Sequence, residues 1–150
     1  MGRRIHRCAG LVFSVLMAWS PLPARADVAT QAAPVYAVSP IGWVRKGAGK
    51  TWIEIEPRYQ PALLGVDALA SLWVFWWFDR NDTPEKRATL QVHPRGNPEN
   101  PLRGVFATRS PFRPNLIAQS QVRVLAVRGN LIEIDEIDAW ADTPVLDLKP

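Results

Sequence analysis

Ser71, Ser110, His93, the acidic cluster Asp135, Glu136 and Asp138, the arginines Arg109 and Arg113, and the tryptophans Trp73, Trp76 and Trp77 are the side chains of this 150-residue chain whose types and surroundings could do chemistry. Neither serine sits in a G-x-S-x-G turn, so an acyl-transfer hydrolase has no support. His93 is the only histidine after His6, and no cysteine follows Cys8. Zinc sites usually combine several nitrogen, sulfur or carboxylate ligands, so the ordinary role for His93 is a hydrogen bond at a strand end. The three carboxylates could collect around Ca²⁺, but acids beside a hairpin are more often a solvated rim. No glycine-rich phosphate loop is present. The tryptophans could stack on bases or sugars, yet a run as apolar as Leu72–Phe78 favours the core. Arg109 and Arg113, which flank Pro111 on a proline-containing loop, have two open readings. An arginine fork can pin a rigid loop by donating to backbone carbonyls, or it can line a pocket.

The charge balance bears on the partner. The chain has 18 Lys+Arg against 14 Asp+Glu, a net of +4. Four of the basic residues, Arg3, Arg4, Arg7 and Arg25, lie in the first 26, which hold no acid, so charges balance from Asp27 onward. Residues 1–26 follow the logic of an export signal, with a basic start, an apolar run from Ala9 to Trp19, and small residues Ala24 and Ala26. The run is 11 residues long and falls short of the roughly 20 needed to cross a bilayer. The expectation is a cleaved signal at 1–26, cut between Ala26 and Asp27, and a periplasmic or secreted product with no membrane attachment. Cleavage would remove Cys8, Met1 and Met17 and leave a domain without sulfur, held by its core alone. A net charge of zero is a poor match for nucleic-acid binding, which ordinarily uses a basic face.

The elements that must position the chemistry read as strands. Residues 27–34 form a small, polar leader and the domain runs over 35–150. Residues 35–46 are β-rich, with a turn at Gly47–Lys50, and Trp52–Glu56 alternates apolar with acidic at a strand's period of two. Residues 62–71 suit a short helix or turn, and Leu72–Phe78 reads as a fully buried strand. After a polar loop over 79–87, strands are expected at Ala88–His93 and Gly104–Thr108, separated by a loop of turn formers. Val122–Val127 and Ile132–Asp135 alternate in type, and Gly129-Asn130 makes the two-residue hairpin between them. Residues 95–128 carry six arginines and one acid, whereas 129–150 carry six acids and one lysine. Cross-strand ion pairs are therefore expected. Short strands with frequent turns imply an all-β barrel or sandwich.

Three strings carry a resemblance: Gly104–Asn115 (GVFATRSPFRPN), Thr143–Pro150 (TPVLDLKP) and Leu72–Asp79 (LWVFWWFD), with Ile41–Arg45 and Leu64–Asp67 in the same order. Residues 41–150 resemble the TsaA/TrmO family. The resemblance implies a single-sheeted TsaA-like β-barrel with short connecting helices or turns, bound S-adenosyl-L-methionine, and methylation of N6 of a modified tRNA adenine. It also implies a homodimer with the cofactor near the subunit interface. By position it assigns cofactor binding to Arg109, Gln119, Asp79, Arg80, Asp135, Glu136, Ile137 and Asp138, with Arg113 and Asn115 as further pocket candidates. Carboxylates and aromatic faces suit a cationic sulfonium donor. Methyl transfer to an amine is an in-line displacement that asks for positioning more than for an acid or nucleophile. The chain departs from the family's pattern at several places. No Pro-Arg-Gln follows the first strand, Phe-Ser-His reads Leu69-Ala70-Ser71, Pro-Ile-Gly reads Leu116-Ile117-Ala118, and Asp-Gly before Thr143 reads Ala141-Asp142. These departures, with export, give an alternative: a non-catalytic barrel that binds another small molecule or a protein.

Overall fold

The computed structural model describes residues 34–150. The expected signal, and the leader apart from Pro34, lie outside the described residues. Ordered pairing begins later than expected, because Val35–Ser39 is exposed and forms no strand. Pro40 has no N–H to donate, and Ile41 is the first residue to join the sheet, donating to Val145 O at 2.8 Å.

Six strands close into an antiparallel barrel, which settles barrel over sandwich. They are β1 (Gly42–Gly47), β2 (Lys50–Ile55), β3 (Ser71–Trp77), β6 (Ile117–Arg128), β7 (Leu131–Ile134) and β8 (Pro144–Lys149), closing in the order β1-β2-β7-β6-β3-β8. Two hairpins supply much of the register. In one, Gly47 pairs with Lys50; in the other, Gly129 takes φ +62° and lets β7 fold back on β6. Gly42 is required for a different reason. A Cβ there would lie 2.2 Å from the Glu54 carbonyl oxygen, so only glycine lets β1 cross β2 this closely.

Each strand turns one face inward, as closure around a single core demands. Val44, Ile53, Val74, Ile132 and Val145 are fully buried there. This corrects the expectation of a wholly buried strand at 72–78. Leu72, Val74 and Trp76 point into the core, whereas Trp73, Phe75 and Trp77 on the other face are half-buried. In β6 the register shifts between Val124 and Ala126, and this bulge leaves Leu125 exposed while Val127 packs against the core. Simple alternation from Val122 would have turned Val127 outward.

Between β3 and β6 the chain leaves the barrel. Asp79–Asn81 is a single 3₁₀ turn, and the helix α1 (Pro84–Ala88) starts at Thr83, whose hydroxyl accepts from Lys86 N. The two strands expected here shrink to a small ribbon of β4 (Gln91–Val92) and β5 (Arg103–Gly104). Ala88 ends α1 instead of starting a strand, and Val105–Ala107 coils into a 3₁₀ turn. The barrel is already closed by its six strands, so these residues have no further edge to extend. His93 takes the hydrogen-bonding role, with Nδ1 2.7 Å from Asn100 O. Of the expected cross-strand ion pairs, Arg123 with Asp135 forms at 3.0 Å. Glu133 and Asp142 pair instead with Lys50 and Arg45, because β7 and the loop before β8 flank the β1–β2 hairpin on their other side.

Candidate functional site

A cleft of about 630 Å³ opens where the excursion rejoins the barrel. The ends of β3 and β6 make its floor: Phe75 pairs with Gln119 and Trp76 with Ala118. Trp76 Nε1 donates to Ser120 Oγ at 3.1 Å, and its ring meets Phe78 edge-on at 4.8 Å between centroids. Both contacts hold the floor's aromatic rings in fixed orientation. Asp79 and Arg80 follow directly on the turn after β3.

Two loops form the walls. The first runs through Phe106, Thr108, Arg109 and Arg113, and the second through Asp138, Trp140 and Thr143. Arg80 lies over the Trp140 indole, 5.0 Å from its centroid, and so joins the β3 turn to the second wall. Phe106 and Trp140 stand at the cleft 78% and 68% exposed. The cleft rim therefore carries two exposed aromatic faces beside polar groups.

The fork expected of Arg109 or Arg113 belongs to another residue. Arg87 Nη1 donates to Pro114 O at 3.2 Å, while its Nε and Nη2 clasp Asp82 at 2.6 and 2.9 Å. The Arg87 guanidinium, assisted by the Trp77 indole N–H, holds the Asp82 carboxyl below the ordinary aspartate range. With the loop pinned by Arg87, the side chains of Arg109 and Arg113 make no hydrogen bond or ion pair among the described residues and remain available on the cleft wall.

The cleft brings together six of the ten residues singled out from sequence: Asp79, Arg80, Arg109, Arg113, Gln119 and Asp138. The other four stand elsewhere. Asn115 is exposed at the base of the first wall, outside the cleft lining, and Glu136 is exposed outside it as well. Asp135 is engaged with Arg123, accepting from its backbone N–H at 2.9 Å and its Nε at 3.0 Å. Burial alone would raise the Asp135 carboxyl, but the Arg123 and Glu136 N–H groups and the Arg123 guanidinium outweigh it and hold it low. Ile137 buries its side chain in the core, and its carbonyl accepts from Lys46 Nζ at 3.0 Å. Sequence reasoning missed Phe106, Trp140 and Thr143. Trp140, a lone ring in an acidic stretch, was the one legible signal.

Residues 39–150 match the family model described as the tRNA-methyltransferase O N-terminal domain. The chain belongs to the TrmO family. Among curated relatives, it is 47% identical over 114 residues to a "probable S-adenosyl-L-methionine-binding protein" of Pyrococcus horikoshii, covering 76% of this chain and 81% of that one. A protein of the same description from Methanocaldococcus jannaschii is 44% identical over 115 residues, covering 77% and 91%. Among solved structures, a TrmO crystal structure superposes with TM-score 0.59 at 30% identity over 78% of this chain and 57% of that one. TrmO from Pseudomonas aeruginosa gives TM-score 0.58 at 27% identity, covering 78% and 56%. The chain therefore spans a little over half the length of these solved TrmO chains. The family match begins at residue 39, so the basic and apolar stretch read as an export signal lies outside it.

Proposed function

We propose that the cleft binds S-adenosyl-L-methionine and that this TrmO-family domain serves methyl transfer. The observation that carries this reading is the convergence of Asp79 and Asp138 with the exposed rings of Trp140 and Phe106 in one cleft. The donor set fits the group: carboxylates and aromatic faces suit a cation, arginines suit a carboxylate, and an amide suits a base edge. The volume also falls within the ordinary range of small-molecule pockets. When bound, the cofactor supplies an electrophilic methyl group. Asp79 and Asp138 would balance positive charge, Arg109 and Arg113 would hold a carboxylate, and Gln119 would orient a base. Ser120 keeps the Trp76 ring in place beneath them. Isothermal titration of the purified protein with S-adenosyl-L-methionine tests the reading: saturable binding is expected, and no heat at millimolar cofactor would overturn it.

A second reading rests on residues 1–26. Their basic, apolar and small-residue sequence supports export, and the balanced charge that remains argues against tRNA as the acceptor. In that case the barrel is a periplasmic or secreted binding module with a retained or altered pocket. A reporter joined to residues 1–30 checks this, since activity confined to the cytoplasm would remove it. The exposed Phe106, Ile117 and Trp140 at the cleft favour a second copy of the chain as partner. A monomer at all concentrations in analytical ultracentrifugation would count against a dimer.

A further inference from the structure

The second cleft wall is tied to the core by Ala139 but has little backbone pairing of its own. Asp138–Ala141 donates none of the backbone hydrogen bonds found among the described residues. Both of its ends, however, are tied to neighbouring residues of β1. At the near end Lys46 Nζ donates to the Ile137 carbonyl at 3.0 Å. At the far end Arg45 pairs with Asp142 and, through Nε at 2.6 Å, with Glu54 on β2. The backbone follows the same course: Asp142 N donates to Val44 O at 2.7 Å, and Val44 N to Thr143 O at 2.9 Å. Asp142 itself sits at φ +66°, a left-handed conformation that Asp and Asn tolerate better than most residues.

We infer that Arg45 and Lys46 are positioning residues which brace the Asp138–Ala141 wall at both ends and thereby set the affinity of the cleft for its ligand. Their weight in overall stability is small. The side chains of Arg45, Glu54 and Asp142 are 40%, 39% and 75% exposed, and ion pairs this exposed contribute little to folding. What the brace does is local. Asp138 and Trp140, the carboxylate and ring that the wall presents, flank Ala139, whose side chain is buried in the core, so loosening either end lets each shift about that fixed point relative to the floor built by Phe75 and Gln119. The inference rests on the ligand reading above for its effect on affinity, although the bracing itself does not.

The test uses the full chain carrying Lys46→Met, Lys46→Arg or Asp142→Asn. Asn keeps the tolerance for positive φ and removes only the charge, and Arg keeps a donor within reach of the Ile137 carbonyl. Three quantities are read: exchange of the Asp142 and Thr143 amides, the hydrogen-bonded N–H groups that close the wall, the Kd for S-adenosyl-L-methionine, and Tm. Lys46→Met and Asp142→Asn should each speed exchange there and raise Kd about tenfold. Tm should move by no more than about 4 °C. Lys46→Arg should restore both exchange and affinity. The two damaging substitutions change local charge in opposite directions, so a long-range charge effect would move Kd in opposite directions and overturn the inference. Unchanged exchange, or faster exchange with Kd unmoved, would overturn it as well. If the wild-type protein does not bind the cofactor, the proposed function fails, and exchange of the Asp142 and Thr143 amides still decides whether Arg45 and Lys46 hold the wall.

Discussion

The Arg87 guanidinium reaches across the excursion to the carbonyl of Pro114 at 3.2 Å, joining the end of α1 to the loop that presents Arg109 and Arg113. It also lies over Trp77, 5.3 Å from the ring centroid, so one side chain ties α1, β3 and the first cleft wall together. Arg87→Met should loosen residues 109–115, seen as faster amide exchange there, and weaken cofactor binding. Tm should fall by on the order of 3 °C. Arg87→Lys should not rescue it, because an ammonium cannot match the planar fork on Asp82.

Asp138 and Trp140 project from the second wall, and both are exposed. Asp138→Asn and Trp140→Ala should each raise Kd for S-adenosyl-L-methionine about tenfold, the equivalent of roughly 1.4 kcal/mol. Neither should lower Tm measurably, since neither residue supports the core. Equal loss of Tm and affinity in these variants would show that they act on folding.

Gly42 tests the close approach of β1 to β2. Gly42→Ala places a methyl group against the Glu54 carbonyl and the Ile55 Cα, where the backbone has no freedom to yield. A loss of about 3 kcal/mol in urea unfolding is expected, at the upper end of overpacking costs. Ile53→Ala, by contrast, empties part of the fully buried core and should cost roughly 2–5 kcal/mol.

Asp135 carries an acid-dependent prediction. Its carboxyl is held below the ordinary aspartate value, so the folded state binds its proton less readily than the unfolded chain. Its contribution is therefore fully present above the unfolded pKa of about 3.9 and fades as pH falls through the lower folded value. The difference in unfolding free energy between wild type and Asp135→Asn, read from urea unfolding, should be constant at neutral pH, amount to about 1 kcal/mol or less, and shrink below about pH 4. A difference that grew on acidification would contradict this assignment.

Much of the barrel was legible because its signals are local. The period-two alternation of Trp52–Glu56 and the Gly129-Asn130 turn identify strands and a hairpin without any tertiary information, and both stand where they were read. The excursion was not legible. Residues 104–108 have the composition of a strand, but whether such a segment pairs depends on a free edge, and closure of the barrel leaves none for Val105–Ala107. Three of the four candidate residues outside the cleft fall there for a related reason. Asp135 through Asp138 are neighbours in sequence, yet the chain turns so sharply after β7 that Asp135 meets Arg123, Ile137 enters the core and Asp138 alone reaches the cleft.

By itself, the sequence determined the all-β class, the hairpins, the family and the balance of charge after residue 26, because each follows from residue type and spacing along the chain. Only the tertiary structure decided which arginine pins the loop, which carboxylates line the cleft and which basic residues brace the second wall. Those choices depend on distances between segments far apart in sequence. Arg45 and Asp142 lie almost a hundred positions apart, and they come into contact only because β1 and β8 close the barrel between them.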